Sequence, residues 1–589
     1  MSFRDRLRPL PMATSPTSTV PDEISDVFAE LIPSNTNACI AFSHVVSQIR
    51  ADELGHSHHA KFVSFDSSSK HPLSHALAAP TVPTASPSPL SHDYYITSTT
   101  DDESKPNSDA IREQEQVWVG RYRLCFVEPI NVSKASWRIG AGRHKVGEPP
   151  RPFRGVDIWL VTTLDAKLYN VRGMHALLSF STESGVLQLQ AIHPGDSRTK
   201  VDQVSFARPK TQALNRRVCS VWFGNLEYTL AYTTKPGTFE DQLLQEQKSF
   251  FFQNMLDRTL PPPLTSGTPS DTDIILGDWT LRAITGQGAF GTVSAAVHQD
   301  TSVAAVKTLI RKNRSTATSI AKEVQILRRL RPLLETEDVN KRVVRFVEVI
   351  YQSNSETYHS GAENVWLLIK PLAFEGTFER LMQLDRSIGM GISERIDLLQ
   401  QVLQGLDCLH RLGWVHRDIK PQNLGLVSLS PPRAIVLDIG SAFEIGHATG
   451  AAIKPTPGCF GTLGYLAPEM EWQSYNTAVD VWALGVVAFQ LLQGEPLFTQ
   501  HCVNIWKKDY DQMQDCLKVR REHGERLSTL RKNAETGAWR TLVARMLHVD
   551  ADKRVKAVVA LQDALFESLA VNENDDGIPI PRKIARTST

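Results

Sequence analysis

The pattern of hydrophobic and polar positions changes several times along this chain of 589 residues. Residues 1–115 are rich in Ser, Thr, Pro, His and Asp. Such a segment buries too little apolar surface to offset the entropy lost on ordering, so a disordered low-complexity segment is predicted. Within it, the apolar residues between Ile24 and Ile49 could form short docking helices, although the pattern favours a patch that is only transiently ordered.

Residues 117–235 consist of short runs of β-branched and aromatic residues, such as V-D-I-W-L-V and L-E-Y-T-L-A-Y. Turn signals separate these runs, for example at Glu148-Pro149-Pro150 and at Pro194-Gly195. Short strands with frequent turn signals are typical of an all-β sandwich, and that fold is predicted for this segment.

Residues 236–277 are predicted to hold a helix followed by a linker. Aromatic and leucine residues between Phe239 and Leu256 fall close to helical spacing, with Glu and Gln on the other side. The predicted helix could pack on either folded domain. Pro261-Pro262-Pro263 ends it, and the Ser/Thr/Pro-rich residues that follow indicate a linker.

Residues 278–568 begin with strand-like runs and continue with helical stripes. W-T-L-R-A-I and T-V-S-A-A-V have the texture of strands, whereas Ile320, Val324 and Leu327 are spaced along one helix face. Residues 569–589 are polar and carry several basic side chains, which favours a solvated tail over a nuclear-targeting signal.

Composition narrows the class of protein. The chain has 64 basic and 64 acidic side chains, so no global field points to nucleic acid or to a membrane, and neither is expected as a partner. Its seven cysteines are scattered and form no C-x-x-C pair, which indicates reduced thiols in an intracellular protein of the cytoplasm or nucleus. The apolar run from Trp482 to Leu492 is about half as long as a bilayer crossing requires. No apolar region follows the N-terminal arginines, so a secretory signal is not expected.

The stretch V-H-R-D-I-K-P-Q-N, from Val415 to Asn423, carries the clearest chemistry. Phosphoryl transfer from a nucleotide needs a group that orients the attacking hydroxyl and ligands that hold metal on the phosphates. Asp418 fits the first role and Asn423 fits the second. The run resembles the catalytic loop of protein kinases. The alternative, a surface loop that contains H-R-D by chance, is weakened by the motifs around it.

A glycine-rich run lies between the first two predicted strands. Glycines allow a loop backbone to fold closely over phosphates, and the strand that follows disfavours a dinucleotide fold, which would place a helix there. The resemblance to kinases implies that this run contacts ATP through Gly286, Gln287, Gly288, Ala289, Phe290, Gly291 and Val293.

Lys307 ends an apolar strand, V-A-A-V-K, where a cation is costly without an anionic partner. The α- and β-phosphates of ATP and a carboxylate would supply that partner. Glu323 is the candidate carboxylate, because it lies on the helical stripe that resembles the kinase C-helix.

The run V-W-L-L-I-K-P-L, Val365 to Leu372, resembles the strand that leads into the adenine-binding hinge. The resemblance implies that Ile369 is the gatekeeper and that the hinge backbone runs from Lys370 to Leu372. Pro371 has no N–H, so one donor of the family type is missing there.

Further motifs follow in the family's order. Asp438-Ile439-Gly440 stands where kinases have Asp-Phe-Gly, which makes Asp438 a magnesium ligand and leaves the effect of the missing aromatic ring open. Glu469 and Arg554 resemble a buried ion pair of the family, and Asp480 resembles the aspartate that anchors the catalytic loop.

Lys420 and Thr462 resemble the serine/threonine branch of the family, in which these side chains position the transferred phosphate and Asp418. The resemblance therefore implies an α+β bilobal kinase fold and an enzyme that uses ATP and Mg²⁺ to phosphorylate Ser and Thr of protein substrates. The alternative is a binding scaffold with an inactive kinase fold. Every chemical position is filled, which favours the enzyme.

The predicted sandwich carries a second resemblance. Gly142-Arg143, then Val156-Asp157-Ile158, then Val171 to Ala176 follow the order of motifs in forkhead-associated domains, β-sandwiches whose loops bind phosphothreonine. Arg143 would contact phosphate through paired hydrogen bonds, and His175 would brace a loop. Arg172 stands where the family has its phosphate-binding serine, so this residue binds phosphate in its own way or the site is lost. A phosphothreonine-containing partner is one expectation, and a sandwich used only for packing is the other.

Arg417, next to Asp418, carries a charge that kinases often pair with a phosphate on the activation segment, which the resemblance places between Asp438 and Glu469. Thr456 in K-P-T-P-G is the candidate phosphate carrier. The competing hypothesis is a segment ordered without phosphate, with Glu444 as the anion.

Overall fold

The structure is a computed structural model of the chain. It describes residues 27–51, 57–78, 115–126, 136–142, 155–193, 198–206, 210–255, 268–270, 273–288, 291–335, 342–384, 389–446, 452–455, 460–470, 473–498, 524–532 and 538–567. The chain forms two compact units: residues 1–283 with 296–303, and residues 284–295 with 304–589.

The first unit is built around a β-sandwich. One sheet has seven strands in the order β11-β10-β13-β14-β1-β5-β2, and the other has five in the order β12-β9-β8-β6-β7. Along β9, Leu187, Leu189 and Ala191 are buried while the residues between them are not, which is the alternation expected of a strand with one face on a core. Among the described residues up to 232, the strands of this unit are β1 Val27–Pro33, β2 Val63–Phe65, β3 His71–Pro72, β4 Gln116–Val117, β5 Gly120–Cys125, β6 Ser136–Gly140, β7 Ile158–Trp159, β8 Ala176–Phe180, β9 Leu187–Ala191, β10 Thr199–Val201, β11 Val204–Phe206, β12 Thr211–Ala213, β13 Val218–Phe223 and β14 Leu226–Tyr232.

The sandwich begins about ninety residues earlier than the sequence pattern predicted. Strand β1 lies between β14 and β5, with Leu31 opposite both Leu230 and Tyr122. Helix α1, Thr36–Ala51, buries Phe42 and Val45. The expectation that residues 1–115 form a disordered segment is therefore wrong for residues 27–51 and 57–78, which also include α2 Ser57–Ala60 and α3 Leu73–Ala78. The partners of these residues lie far along the chain, so local composition did not reveal them.

The helix predicted from Phe239 is present as α4, Phe239–Met255. Its Phe251 and Phe252 are buried in the sandwich core, and the Phe251 ring stacks on Trp137 with centroids 6.0 Å apart. This helix therefore belongs to the sandwich.

The first unit continues past residue 278, where the sequence suggested a domain boundary. The Asn215 amide donates a 2.8 Å hydrogen bond to Oγ1 of Thr280, and the backbone N–H of Ala213 donates to the carbonyl of Gln299 over 2.7 Å. A carboxylate oxygen of Glu183 accepts from the N–H of Val303 over 3.1 Å.

The following sheet has six strands in the order β15-β16-β17-β18-β20-β19. Helix α5, Arg314–Glu335, comes directly after β18 and buries the predicted stripe of Ile320, Val324, Leu327 and Leu330. The strands are β15 Ile275–Leu276, β16 Trp279–Gly288, β17 Gly291–His298, β18 Val303–Arg311, β19 Arg345–Tyr351 and β20 Glu363–Lys370.

Helices dominate the rest of the second unit. They include α6 Phe378–Gln383, α7 Ile392–Arg411, α8 Ala478–Gln493, α9 Ala538–Met546 and α10 Ala557–Ala560. In the described ranges, short strands accompany them, namely β21 Gly376–Thr377, β22 Trp414–Val415, β23 Leu424–Leu429, β24 Pro432–Val436 and β25 Phe443–Glu444. This succession of strands and helices agrees with the α+β kinase fold implied by the sequence. Within the described ranges, no helix is both long enough and apolar enough to cross a membrane.

Candidate functional site

An ion-paired lysine lies on the strand that precedes helix α5. Nζ of Lys307 on β18 is 2.7 Å from Oε1 of Glu323 on α5 and 3.5 Å from Oδ1 of Asp438. The side chains of Lys307 and Glu323 are each only 15% exposed. The structure thus brings together three residues that are 16 to 131 positions apart in the sequence.

Burial and charge act in opposite directions on this group. Burial would lower the pKa of Lys307, but the attraction of Glu323 and Asp438 outweighs it and raises that pKa. Burial also opposes ionisation of Asp438, yet Lys307, His416 and the N–H of Gly440 hold the pKa of its carboxyl below the usual value. For Glu323, burial outweighs the pull of Lys307 and raises the pKa. Lys307 and Asp438 are therefore both charged at neutral pH, as phosphate and metal binding require.

The catalytic-loop candidates form one hydrogen-bonded group. Oδ1 of Asp418 accepts a 2.7 Å hydrogen bond from the hydroxyl of Thr462, and Oδ2 lies 2.9 Å from Nζ of Lys420. The same Nζ donates to Oγ1 of Thr462 over 2.9 Å. Because both of its oxygens are engaged, the carboxylate of Asp418 is held in one orientation.

The two candidate metal ligands lie at the same end of a hairpin. Asn423 comes just before β23 and Asp438 follows β24, and these strands pair with Leu424 opposite Val436. The Asn423 amide nitrogen donates to the carbonyl and to Oδ2 of Asp418 over 2.8 and 3.0 Å, so its amide oxygen is the atom left to bind a metal.

The donor set suits magnesium. Mg²⁺ prefers oxygen ligands and is usually bound by one or two carboxylates together with substrate phosphates. Asp438 offers a carboxylate and Asn423 an amide oxygen. Across the described ranges, no cluster of three or more His, Cys, Asp and Glu side chains could hold a metal ion.

Asp480 on α8 anchors the catalytic loop. Its carboxylate accepts the backbone N–H groups of His416 and Arg417 over 2.8 Å each, and lies 2.9 Å from Nε2 of His410. Burial would raise the pKa of Asp480, but the His410 hydrogen bond and the charges nearby hold it below the usual value. This is the anchoring role that the resemblance implied.

Glu469 and Arg554 form a buried, bidentate ion pair. Two guanidinium nitrogens of Arg554 contact the two carboxylate oxygens of Glu469 at 2.6 and 3.0 Å. The side chains are 6% and 0% exposed, and the guanidinium also lies 5.1 Å from the centroid of the Trp482 ring. Parallel charge-assisted bonds of this kind are strong, so the pair braces the fold below the catalytic loop.

The two ends of the glycine-rich run differ in the space available for a side chain. Gly291 has φ +145°, and a Cβ there would lie 2.0 Å from the carbonyl oxygen of Thr308, so a side chain is excluded. Gly286 has open space around it, and Val293 is half-buried on β17. The predicted contacts by the side chains of Gln287, Ala289 and Phe290, and by Gly288, lie outside the residues whose side chains the structure describes.

The gatekeeper and hinge candidates lie at the end of β20 and directly after it. Ile369 is half-buried and lies opposite Ala305 of β18 and Phe346 of β19. Lys370 ends the strand opposite Arg345, and Leu372 is buried. Ile369 is therefore placed on the same sheet as Lys307.

The described contacts of the Arg417 side chain include a backbone carbonyl and an aromatic ring. Its Nε donates a 2.7 Å hydrogen bond to the carbonyl of Ser441, and its guanidinium carbon lies 3.7 Å from the ring centroid of Phe460. Thr456 lies outside the described residues, so its role stays a prediction. Glu444 forms an ion pair with Arg329 of α5, so the expectation that it is the anion of Arg417 is wrong. No sequence motif indicated the Phe460 or Arg329 contacts.

The loops of the sandwich bring part of its candidate site together. The N–H of Gly142 donates a 2.8 Å hydrogen bond to the carbonyl of Gly173, and Nδ1 of buried His175 accepts from the N–H of Arg172 over 3.2 Å. Arg172 itself is exposed. Nε2 of His193, which the sequence did not single out, lies 2.8 Å from the carbonyl of Met174. Arg143 lies outside the described residues, directly after Gly142.

Comparison with known proteins shows what the region that carries the site is similar to. Residues 279–566 match the family model described as protein kinase domain. The chain is 34% identical to calcium/calmodulin-dependent protein kinase type 1 of Macrobrachium nipponense, over 37% of this chain and 58% of that protein. It is 28% identical to calcium/calmodulin-dependent protein kinase type II alpha chain of Drosophila melanogaster, over 48% of each. It is 27% identical to human serine/threonine-protein kinase H1, over 51% of this chain and 64% of that protein. In each case the match spans less than two thirds of the relative's length.

Proposed function

We propose that this chain, whose residues 279–566 form a protein kinase domain, transfers the γ-phosphoryl group of ATP to Ser and Thr hydroxyls of proteins. The observation that carries the proposal is the orientation of the Asp418 carboxylate by Thr462 and Lys420. The kinases of other organisms that this chain resembles include one whose name specifies serine and threonine.

The chain's own residues divide the work of transfer. Asp418 is placed to accept the proton of the attacking hydroxyl, while the positive charge of Lys420 stabilises the phosphoryl group during transfer. Lys307 holds the α- and β-phosphates, and Glu323 keeps that lysine in position. Asp438 and Asn423 would hold Mg²⁺, which neutralises charge on the phosphates when bound.

The same side chains favour the enzyme over an inactive scaffold. A scaffold has no need of a charged lysine and two carboxylates partly withdrawn from water, because burying such charges costs free energy. Here Lys307, Glu323 and Asp438 are retained and paired with one another. The cost is consistent with selection for phosphate and metal binding.

A direct experiment uses the full chain, since a cut near residue 270 would separate Thr280 from Asn215. The chain is incubated with Mg²⁺ and ATP and with peptide libraries that offer Ser, Thr or Tyr as the acceptor, and the products are read by mass spectrometry. We expect phosphate on Ser and Thr peptides, none on Tyr peptides, and no transfer once a chelator removes the metal. A folded chain that modifies no library would favour the scaffold.

We also infer a second function for the sandwich, recognition of phosphothreonine in a protein partner. The supporting observation is the Gly142–Gly173 hydrogen bond, because it joins the loop that leads into Arg143 to the loop that carries exposed Arg172. The exposed guanidinium of Arg172 suits a doubly charged phosphate, and Arg143, outside the described residues, is the second candidate contact. In this proposal the sandwich directs the kinase domain to partners that are already phosphorylated.

A further inference from the structure

Arg417 is buried beside two aromatic rings, those of Phe443 and Phe460. Arg417 is only 4% exposed. The guanidinium carbon lies 3.7 Å from the ring centroid of Phe460 and 5.2 Å from that of Phe443. One ring therefore covers the guanidinium closely and the other lies near it.

A buried guanidinium needs compensation for the water it has lost. Among the described residues, no carboxylate forms an ion pair with Arg417, and Nη2 is buried with no hydrogen-bond partner there. Glu444, which directly follows Phe443, is paired with Arg329. The remaining compensation comes from the Ser441 carbonyl and from the aromatic faces, whose quadrupoles attract a cation more strongly once water is excluded.

Phe460 touches more than the catalytic loop. Nζ of Lys322 lies 5.1 Å from the centroid of the Phe460 ring, and Lys322 directly precedes Glu323 on α5. The Phe460 ring therefore contacts two cations, Arg417 and Lys322. Arg417 directly precedes Asp418, and Lys322 directly precedes Glu323, the partner of Lys307. The ring joins the catalytic loop to the helix that positions the ATP-binding lysine.

Phe460 also lies two residues before Thr462. Gly461, between them, has φ +83°, and a Cβ there would lie 2.4 Å from the Leu466 side chain. That backbone conformation favours glycine, so the close approach of this stretch to Leu466 excludes a side chain at position 461. Holding the Phe460 ring against Arg417 thus places Thr462, whose hydroxyl binds Asp418.

We propose that Phe460 is a positioning residue that orders the activation segment without a phosphate. Its ring takes the place at Arg417 that a phosphate would otherwise fill, and so holds Thr462 on Asp418 and α5 against the segment. The proposal rests on the kinase activity proposed above. It predicts that the unphosphorylated chain is already in its active arrangement.

The kinetic experiment uses full-length chain treated with phosphatase, with absence of phosphate on residues 441–469 checked by mass spectrometry. Phe460→Leu removes the ring face and Phe460→Tyr keeps it. We expect Phe460→Leu to lower kcat about tenfold with KM for ATP changed less than about threefold, since the cation–π attraction at the buried guanidinium is lost. Phe460→Tyr should restore most of kcat. Phe489→Leu, a partly buried ring that packs near Trp539 instead, is the matched control and should keep wild-type kcat.

A second measurement does not depend on catalysis. Hydrogen exchange of the amides of residues 461–466 is compared without nucleotide in the phosphatase-treated wild type and in the same variants. We expect faster exchange in Phe460→Leu and wild-type exchange in Phe460→Tyr and Phe489→Leu. Equal exchange in all of them would overturn the proposal.

The outcomes separate this proposal from the kinase proposal. A wild type that transfers no phosphate but shows the expected exchange differences would refute the activity and retain the positioning role. A phosphatase-treated wild type that loses turnover, together with an equal loss in Thr456→Ala, would overturn the role of Phe460 and make phosphate the partner of Arg417. Wild-type kcat in Phe460→Leu would also overturn it.

Discussion

The hydroxyl of Thr462 donates a 2.7 Å hydrogen bond to Oδ1 of Asp418, 44 residues earlier in the chain. Thr462→Val keeps the shape of the side chain but removes this donor. We expect kcat to fall roughly ten- to a hundredfold, because a hydrogen bond to a charged group is worth about 1.5–3 kcal/mol. Thr462→Ser keeps the hydroxyl and should retain most activity. Steady-state kinetics of both variants decides, and a Thr462→Val enzyme as fast as wild type would show that the hydroxyl has no part in orienting Asp418.

Glu323→Gln should shift the pH dependence of the reaction. The carboxylates of Glu323 and Asp438 raise the pKa of Lys307 against the effect of burial, so in the wild type this lysine stays charged up to and beyond its ordinary range near pH 10.4. Its stabilising charge is fully present below that pH and is lost as the pH rises through the raised pKa. Without the charge of Glu323, only Asp438 opposes the effect of burial, so the pKa of Lys307 falls.

The measurement is kcat/KM for ATP between about pH 7 and pH 10, because the ordinary lysine pKa lies near the upper end of that range. In Glu323→Gln we expect a lower plateau and an alkaline loss that begins at a lower pH than in the wild type. Glu335→Gln, on the exposed end of the same helix, is the control and should leave the profile unchanged. Superimposable alkaline limbs for Glu323→Gln and wild type would contradict the role given to the ion pair.

Glu469→Gln should destabilise the second unit strongly. It leaves the buried guanidinium of Arg554 without its bidentate partner, and breaking a buried pair in this way costs about 3–5 kcal/mol. Glu525→Gln changes an exposed side chain and should stay within about 0.5 kcal/mol of wild type. Denaturant unfolding followed by tryptophan fluorescence measures both. A loss below about 1 kcal/mol for Glu469→Gln would mean that the pair is not needed for stability, since typical point changes already reach that size.

Arg172→Ala tests phosphothreonine recognition by the sandwich. Losing a charge-assisted contact should weaken binding of a phosphothreonine peptide roughly ten- to a hundredfold in calorimetry. Arg216→Ala removes another exposed arginine of the same sandwich, one paired with Asp202, and should not affect binding. If phosphorylated and unphosphorylated peptide libraries bind the wild type equally, the sandwich has no phosphate site and its role is packing or protein contact.

The residues of the candidate site could be singled out from sequence because short motifs carry them at fixed spacing. Lys307 ends an apolar strand, Glu323 lies on a regular helical stripe, and Asp418 and Asn423 share one loop. The structure places these residues in contact through strand pairing and helix packing that the hydrophobic pattern already indicated.

The remainder depended on contacts between distant parts of the chain. Strand β1 finds its partners near residues 122 and 230, so its composition alone suggested disorder. The contact of Phe460 with Arg417 and the pairing of Glu444 with Arg329 depend on how the activation segment crosses the catalytic loop and α5. No local pattern encodes that crossing.

The most direct test of the account compares phosphate transfer by the full-length wild type and by Asp418→Asn, with labelled ATP and the best Ser/Thr peptide from the library screen. Asn keeps the size of the side chain but cannot accept the proton of the attacking hydroxyl. We predict that turnover falls by about two to four orders of magnitude, as expected for loss of a general base, while ATP binding measured by calorimetry is largely unchanged. Equal turnover by the two proteins, or no transfer by a wild type that binds ATP, would contradict the assignment of Asp418 as the catalytic residue of a protein kinase.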